Sequence, residues 1–267
     1  MKDACVIVPA YDAAATIGAV IADVRRELPE LEVLVIDDGS VDDTSRVARD
    51  AGALVLRLET NAGKGAALIA GFEEALARGK RVALTVDADG QHPADEAKRV
   101  LEASDDEQAF VLGVRDLERD GAPRANRFSN GISNFFLSRF AGRPLRDTQC
   151  GLRRYPIAKI LALRAGGRGY DFEAEVLLRG IWSGMTIVEL PVRVLYPAER
   201  TTHFHPARDP WRIIRTVVAT LGDRVDSGAD IRIDGKPVHV PEGDDMQRRV
   251  IAYHKPKGEV VSRNDPE

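Results

Sequence analysis

The chain has 267 residues, of which 44% are hydrophobic, so it can bury a substantial core and global disorder is excluded. Its formal net charge of −4 argues against a dedicated nucleic-acid-binding protein. Two cysteines cannot form a disulfide framework, the N-terminal apolar run is too short for a signal peptide, and no apolar run reaches the ~18 residues of a membrane span, which together predict a cytoplasmic protein.

Strand and helix patterns alternate along the first half of the chain. Compact apolar runs predict strands over residues 4–8, 32–36, 53–58 and 82–86. Helical spacing of apolar residues predicts helices over residues 16–28, from 42 or 43 to 51, and 64–77. Thr16 is the predicted N-cap of the first helix. The alternation predicts an α/β fold with a mostly parallel sheet flanked by helices on both faces.

The second half of the chain is less regular. Its patterns predict a strand over 110–114, an amphipathic helix over 123–142, a polar loop over 147–151, a helix over 171–183, a strand over 185–195 and a helix over 208–221. Pro191 interrupts the second of these strands, which suits an edge strand or a bulge. The composition changes after Gly222. We therefore predict one large domain over residues 1–222 and a small irregular tail over residues 223–267.

Four loops with unusual polar residues or glycines follow the first four predicted strands. They lie at residues 9–12, 37–40, 61–65 and 87–89. Ligands of open α/β sheets bind outside the carboxyl ends of the strands. We therefore expect the four loops to converge on one rim of the sheet.

Asp87 and Asp89 follow the fourth predicted strand, and Pro93 begins the next helix. Residues i and i+2 of an extended segment point to the same side, so both carboxylates can hold one hard cation. Such an ion keeps open positions that substrate phosphates commonly fill. Alone, two acids in a turn are more often a solvated loop. Together with the other loops, the pair predicts an enzyme that handles a diphosphate ester through a metal.

The loops at 37–40 and 61–65 each allow two interpretations. Asp38 can accept hydrogen bonds from a base or a ribose, and Gly39 permits close backbone approach. The alternative is a turn whose polar side chains cap the next helix. Lys64 and Gly65 stand at a helix N-terminus, which favours an anion, although an ordinary capped helix is the alternative. The spacing fits neither a P-loop nor Gly-x-Gly-x-x-Gly.

Four segments, 6–12, 35–44, 61–65 and 87–93, together resemble the family 2 glycosyltransferases of the GT-A fold, and the likeness extends over residues 4 to about 221. The subgroup that the chain resembles most is the polyprenyl-phosphate (dolichyl-phosphate type) mannosyl- and glucosyltransferases. Segments 113–115, 147–153 and 169–175 carry that second resemblance. It implies a DXD motif that binds Mg²⁺ or Mn²⁺, and a transfer that inverts the anomeric centre.

Site roles follow from the motifs and the resemblance. The nucleotide sugar would contact Pro9, Ala10, Tyr11, Asp12, Asp38, Gly39, Lys64, Gly65, Asp87 and Ala88. The metal would be held by Asp87, Asp89 and Gln91. The candidate catalytic residues are Asp89, Arg115 and Asp147. Asp147 is the best general base if the acceptor is a hydroxyl, unless it is a loop carboxylate that pairs with Arg146 or Arg153. A lipid phosphate is already anionic and needs positioning instead.

The segment 124–146 is rich in arginine and phenylalanine and contains no acidic residue. Positions 128, 132, 135, 136 and 140 share one helical face. This pattern predicts either a helix at a membrane surface or a core-facing helix with solvated arginines. Arginines also suit a phosphate acceptor. The candidate acceptor-binding residues are Arg124, Arg127, Gln149 and Arg200.

The tail differs in kind from the rest of the chain. Residues 230–238 and 250–259 resemble the linker region of bacterial ribosomal-RNA pseudouridine synthases. That family's catalytic Gly-Arg-Leu-Asp motif is absent, so we expect no pseudouridylation. We interpret the tail as a partial fragment of an RNA-modification enzyme, and expect poor order because roughly 40 residues bury little surface.

We predict a metal-dependent inverting glycosyltransferase that moves a hexose from a UDP- or GDP-linked sugar to a polyprenyl phosphate. It would serve the cell envelope as a peripheral protein at the inner face of the cytoplasmic membrane, with no nucleic-acid partner for the main domain. The same donor chemistry with a glycan, lipid or aryl hydroxyl acceptor is one alternative. A non-catalytic nucleotide- or RNA-binding module is the other.

Overall fold

The computed structural model describes residues 3–196, 215–216, 219–220, 232–233 and 236–237. The chain divides into two units, Met1–Val217 and Val218–Glu267. Within the second unit, the described strands β8 (Arg232–Ile233) and β9 (Lys236–Pro237) pair in antiparallel fashion. The rest of the predicted tail and the helix predicted over 208–221, apart from residues 215–216 and 219–220, lie outside the described residues. The predicted boundary near residue 222 stays a prediction.

The first unit alternates strands and helices as the sequence predicts. Its described strands are β1 (Ala4–Ala10), β2 (Glu32–Asp37), β3 (Leu54–Arg57), β4 (Val82–Thr85), β5 (Phe110–Arg115), β6 (Arg153–Pro156) and β7 (Ile187–Val192). Its described helices are α1 (Ile17–Glu27), α2 (Thr44–Asp50), α3 (Lys64–Ala77), α4 (Ala94–Leu101), α5 (Arg124–Ala141), α6 (Ile157–Ala162) and α7 (Asp171–Trp182).

The seven strands form one sheet in the order β3-β2-β1-β4-β6-β5-β7. Only β6 runs antiparallel to its neighbours within this sheet. The predicted α/β fold with a mostly parallel sheet is therefore confirmed. Pro191 lies in the edge strand β7, where a missing N–H group interrupts no ladder on the outer side.

Both faces of the sheet are covered by helices, which explains why β1 is apolar at every position. Val6 and Val8 face one core layer, which includes buried residues of α1 and α4, whereas Cys5 and Ile7 face the other, which includes α3 and α7. Gly71 lets α3 lie close to the sheet, because a Cβ there would stand 2.9 Å from the Cγ2 atom of Ile7. This layering fixes the carboxyl ends of β1, β2 and β4 at one rim.

Both cysteines are free and buried. Burial raises the pKa of the Cys5 and Cys150 thiols to about 12, so neither is a reactive thiolate. Among the described residues, no helix is long and apolar enough to cross a membrane.

Candidate active site

The loops after β1, β2 and β4 are joined to one another by hydrogen bonds at the rim. The Asp12 N–H donates to Ser40 Oγ at 2.9 Å, and the Val41 N–H donates back to Asp12 Oδ1 at 2.8 Å. Asp12 has a φ of +47°, a left-handed conformation that these two bonds hold in place. The Thr16 hydroxyl donates to the Ala88 carbonyl at 2.6 Å. The structure thus brings three of the four predicted loops together.

The loop after β3 joins the same rim through Asp38. Its carboxylate accepts hydrogen bonds from the N–H groups of Ala62 and Gly63, both at 2.8 Å. Gly39 has a φ of +73°, and a Cβ there would lie 2.7 Å from the Asn61 nitrogen, so only glycine fits. Burial raises the pKa of Asp38. Asp38 therefore ties two loops together, and its nucleoside contact stays a prediction.

Asp37, the last residue of β2, is a buried structural anchor. Its carboxylate accepts hydrogen bonds from the Ser40 N–H at 2.9 Å, from the Ser45 hydroxyl and from the Arg57 guanidinium at 2.7 Å. Burial alone would raise the pKa of Asp37, but these donors outweigh it and lower the pKa. Asp37 thus holds the loop that carries Asp38 and Gly39.

The start of α3 is packed against the loop before α7. The N–H groups of Gly65 and Ala66 donate to the Arg168 carbonyl at 2.8 and 3.2 Å. A Cβ on Gly63 would lie 2.4 Å from the same carbonyl oxygen. Two of the backbone donors at this helix N-terminus are thus occupied within the protein. The predicted anion contact at Gly65 would need those bonds to open.

Lys64 forms a double ion pair instead of pointing into open solvent. Its Nζ atom lies 2.7 Å from Asp87 Oδ1 and 3.2 Å from Glu173 Oε2, and 5.6 Å from the centre of the Tyr170 ring. Burial alone would lower the pKa of Lys64, but the two carboxylates outweigh it and raise the pKa. Lys64 is therefore a fixed positive charge beside the predicted metal ligand.

The two carboxylates among the three predicted metal ligands have different environments. Asp87 lies between Lys64 and His92, whose Nε2 atom is 3.5 Å from Oδ2. Burial alone would raise its pKa, but Lys64 and His92 hold the pKa of Asp87 well below its usual range. Burial and the Asp87 charge raise the pKa of Asp89. Asp87 is therefore the more firmly ionised carboxylate of the pair.

Asp87 also packs against the backbone of the 145–151 loop. A Cβ on Gly151 would lie 2.2 Å from Asp87 Oδ2, so glycine is required for this contact. Gln91 belongs to the same small site through its backbone, because its N–H donates to Asp89 Oδ1 at 3.0 Å and its carbonyl accepts from the Leu195 N–H at 2.8 Å. The metal contact predicted for the Gln91 side chain stays a prediction.

The donor set fits a hard divalent cation only in part. Carboxylate oxygens suit Mg²⁺ and Mn²⁺. In the described part of the chain, however, no group of three or more His, Cys, Asp and Glu residues could enclose an ion. Asp87 and Asp89 would have to share the ion with outside oxygens, such as those of a diphosphate. An ion held by these two carboxylates would keep coordination positions open for a substrate diphosphate.

Asp147 pairs with Arg115, and not with Arg146 or Arg153 as the alternative interpretation expected. Arg115 donates to both carboxylate oxygens, through Nε at 2.7 Å and Nη2 at 3.0 Å. Asn130 Nδ2 adds a third side-chain bond at 2.6 Å. Burial alone would raise the pKa of Asp147, but Arg115 and Asn130 lower it. The alternative was wrong because Arg146 pairs with Glu189, and Arg153 donates only to backbone carbonyls.

Helix α5 buries Ser129, Asn130 and Ser133 together with Leu137, and exposes two of its phenylalanines. Asn134 grips the neighbouring loop, accepting from the Thr148 N–H at 2.9 Å and donating to the Arg146 carbonyl at 2.7 Å. Phe128 is 72% exposed and Phe135 is 54% exposed. The expectation of a core-facing aromatic face is therefore wrong for these two positions.

Three of the four acceptor-binding candidates are described, two of them on α5 and one in the loop bonded to it. Arg124 is exposed at the start of the helix, and Arg127 stands 3.9 Å from the Glu118 carboxylate. Gln149 lies in the loop beside Asp147, and its buried Nε2 atom has no hydrogen-bond partner among the described residues. Arg200 lies outside the described residues. Their acceptor contacts stay predictions.

The sequence analysis missed two side chains of the site, Glu173 and His92. Glu173 is 3% exposed and pairs with Lys64, from which it is separated by more than 100 positions. Glu173 belongs to the supporting segment 169–175 and His92 to the leading segment 87–93, but neither residue was given a role of its own. The available signal was the density of acids at the start of α7, where Asp171, Glu173 and Glu175 are all buried.

Comparison with known proteins gives a family match. The model of the family described as glycosyl transferase family 2 matches residues 5–160, more than half of the chain. The polyprenol monophosphomannose synthase of Mycolicibacterium smegmatis is 30% identical over 204 residues, which cover 70% of this chain and 75% of that protein. The undecaprenyl-phosphate mannosyltransferase of Micrococcus luteus is 30% identical over 197 residues, which cover 70% of this chain and 81% of that protein.

Solved structures show the same fold. The glucosyl-3-phosphoglycerate synthase from Mycobacterium tuberculosis in complex with Mg²⁺ and uridine diphosphate matches with a TM-score of 0.67 at 19% identity, covering 83% of this chain and 80% of that one. A complex of the same protein with Mn²⁺, uridine diphosphate and glucosyl-3-phosphoglycerate matches with a TM-score of 0.64 at 21% identity, covering the same 83% and 80%. The likeness confirms the predicted GT-A-type fold.

Proposed function

Because the chain belongs to glycosyl transferase family 2, we propose that it transfers a hexose from a nucleoside-diphosphate sugar to a polyprenyl phosphate, with inversion of the anomeric centre. The acceptor is inferred from relatives named as polyprenol-phosphate and undecaprenyl-phosphate mannosyltransferases. The observation that carries the proposal is the rim, where the loop of Asp87 and Asp89 is bonded to the loop after β1 and to Lys64, and the loop after β2 is bonded to both neighbouring loops. UDP and GDP both remain donor candidates.

Different residues of the rim bind the two ends of the donor in this proposal. We assign Asp12, Asp38 and Gly39 to the nucleoside end, and Asp87 and Asp89 to the diphosphate end. A Mg²⁺ or Mn²⁺ ion held by these two carboxylates would neutralise charge on the leaving diphosphate. Lys64 adds a fixed positive charge beside the same carboxylate. The hydrogen-bonded loops keep these groups in place before the donor binds. Less conformational entropy is therefore lost when the donor binds.

The environment of Asp147 favours an anionic acceptor over a hydroxyl. A general base needs a free lone pair and a pKa near the working pH. Asp147 is 1% exposed, is bonded to Arg115 and Asn130, and has a lowered pKa. We therefore assign Asp147 and Arg115 to positioning the loop near the acceptor. A lipid phosphate needs no base, whereas a glycan or aryl hydroxyl does.

The aromatic face of α5 supports contact with a membrane. Phe128 and Phe135 are exposed on a helix that carries arginines and no acidic residue. Exposed aromatic rings enter the headgroup region, and arginines are attracted to anionic lipids. We propose that this face rests on the inner leaflet, so that the acceptor phosphate reaches the rim without leaving the bilayer.

A partition assay tests the proposed transfer. The full chain is incubated with Mn²⁺, undecaprenyl phosphate and radiolabelled UDP-glucose or GDP-mannose, and label is counted in the organic phase. We expect label to enter that phase, and Asp87→Ala to reduce it by roughly two orders of magnitude or more. Asp43→Ala, which alters an exposed acid of a surface ion pair, is the matched control.

Each other outcome identifies an alternative. Transfer to added glycan or aryl acceptors without organic label would replace the lipid phosphate by a hydroxyl acceptor. Donor binding without transfer to any acceptor would indicate a non-catalytic module. Full activity of Asp87→Ala in the presence of a chelator would disprove the metal role.

A further inference from the structure

Four ionisable side chains form a continuous row through the predicted metal site. Glu173 Oε2 lies 3.2 Å from Lys64 Nζ, which lies 2.7 Å from Asp87 Oδ1, and Asp87 Oδ2 lies 3.5 Å from His92 Nε2. Both oxygens of Asp87 are thus already in contact with nitrogen atoms. A divalent cation has to share this carboxylate with the Lys64 ammonium.

The Lys64 ammonium is held on all sides that the structure describes. Its side chain is 15% exposed, and its Nζ atom lies over the Tyr170 ring as well as against two carboxylates. At its base, Gly65 is so tightly packed that a Cβ would lie 2.5 Å from the Gly167 carbonyl oxygen. Of the two carboxylates in contact with the ammonium, Glu173 is the one towards which it can move when its contact with Asp87 lengthens.

Glu173 has an unused hydrogen-bond acceptor for that movement. Its side chain is 4% exposed, and its Oε1 atom has no hydrogen-bond partner among the described residues. A buried carboxylate oxygen without a donor is costly, so it gains from any N–H brought to it. An ammonium has three N–H donors, one of which can serve Oε1 when the contact with Asp87 lengthens.

We propose that Lys64 is a resident counter-ion of Asp87, and that Glu173 draws the ammonium aside when a divalent cation binds at Asp87 and Asp89. Lys64 then lowers metal affinity, because its charge competes for the same carboxylate. Glu173 raises it, because it relieves that competition. The inference rests on the proposed function only in placing a metal at Asp87 and Asp89.

The two residues should therefore shift metal affinity in opposite directions. The dissociation constant for Mn²⁺ alone, without donor, is measured on the full chain from the free-ion electron paramagnetic resonance signal. We expect Lys64→Met to tighten binding by about tenfold, since a like charge is removed next to the site. We expect Glu173→Gln to weaken binding several-fold, as the ammonium then stays on Asp87.

A double-mutant cycle separates the proposed route from a simple charge effect. If Glu173 acts through Lys64, Glu173→Gln should lose most of its effect in the Lys64→Met background, a coupling of at least about threefold. An equal effect in both backgrounds would overturn the proposal, because Glu173 would then act only through its own charge. Unchanged or weaker Mn²⁺ binding in Lys64→Met would overturn it too. Lys64→Gln repeats the test in a variant with a polar side chain, and thermal unfolding checks the fold of each variant.

The assay does not depend on transfer activity, so the two proposals can fail separately. The expected Mn²⁺ shifts in a chain without transferase activity would retain this inference and refute the proposed function. Transferase activity together with Mn²⁺ affinities that do not respond to either substitution would refute this inference alone.

Discussion

The buried pair of Asp147 and Arg115 gives the sharpest test of the site's construction. Asp147→Asn keeps the shape of the side chain and removes its charge. In the wild type, Arg115 Nε and Nη2 lie 2.7 and 3.0 Å from the Asp147 carboxylate oxygens. In the variant they would face a neutral amide, and the largely buried Arg115 would lack a counter-ion. Breaking one side of a buried ion pair typically costs about 3–5 kcal/mol.

The expected loss can be measured as the free energy of unfolding in urea at pH 7. Asp43→Asn, in the exposed pair with Arg46, is the control and should cost at most about 1 kcal/mol. A loss below about 1 kcal/mol for Asp147→Asn would refute the assigned positioning role. A large loss of kcat with unchanged stability would instead restore Asp147 as a general base.

The pH dependence of this difference follows from the direction of the pKa shift. The pKa of Asp147 is lower in the folded chain than in the unfolded one, so the folded state binds the proton more weakly. The stability gained from ionised Asp147 is therefore complete above the unfolded pKa of about 4 and lost as the pH falls through the folded pKa. The difference in the free energy of unfolding between wild type and Asp147→Asn should become smaller below pH ~4. A difference that grows there would contradict the lowered pKa of Asp147.

Three further outcomes are expected. Gly151→Ala would put a Cβ 2.2 Å from a carboxylate oxygen of the candidate metal site, so transfer should fall, whereas Gly131→Ala, whose Cβ meets nothing within 4 Å, should not alter it; equal activity of the two variants would contradict the contact. Joint replacement of Phe128 and Phe135 by Ser should reduce co-sedimentation with anionic vesicles, and unchanged binding would rule out this face as the docking surface. Deletion of residues 223–267 should leave transfer intact, and a shortened chain that fails to fold would refute the predicted domain boundary near residue 222.

The fold was largely predictable because buried parallel strands leave a strong signal. Strands β1 to β5 are short apolar runs, each followed by a turn or a helix pattern. Strand β6 was missed, since its residues Arg153 and Arg154 suggest a surface segment. Both arginines are fully buried, and the assigned bonds of their guanidinium groups go to backbone carbonyls. A local sequence pattern cannot reveal such distant acceptors.

The positions of site residues were easier to predict than their partners. Thr16 was placed correctly at the start of α1, but its hydroxyl donates to the Ala88 carbonyl and does not cap the helix. One of the two interpretations of Asp147 paired it with Arg146 or Arg153, yet its partner is Arg115 at the end of β5. Side-chain partners depend on the tertiary packing, whereas loop positions at the rim follow from the strand order alone.

The arrangement of α5 connects the surface proposed for the membrane with the metal site. Because its Ser and Asn residues face inward, the helix is bonded to the 145–149 loop, and that loop continues to Gly151, which packs against Asp87. A helix held by apolar packing could slide, but one held by directional hydrogen bonds cannot do so without breaking them. Phe128 and Phe135 lie on the exposed side of the helix, whereas Phe140 packs against the core. One helix therefore holds both the two exposed rings and the loop that contacts Asp87, which is the structural link between the proposed membrane surface and the candidate metal site.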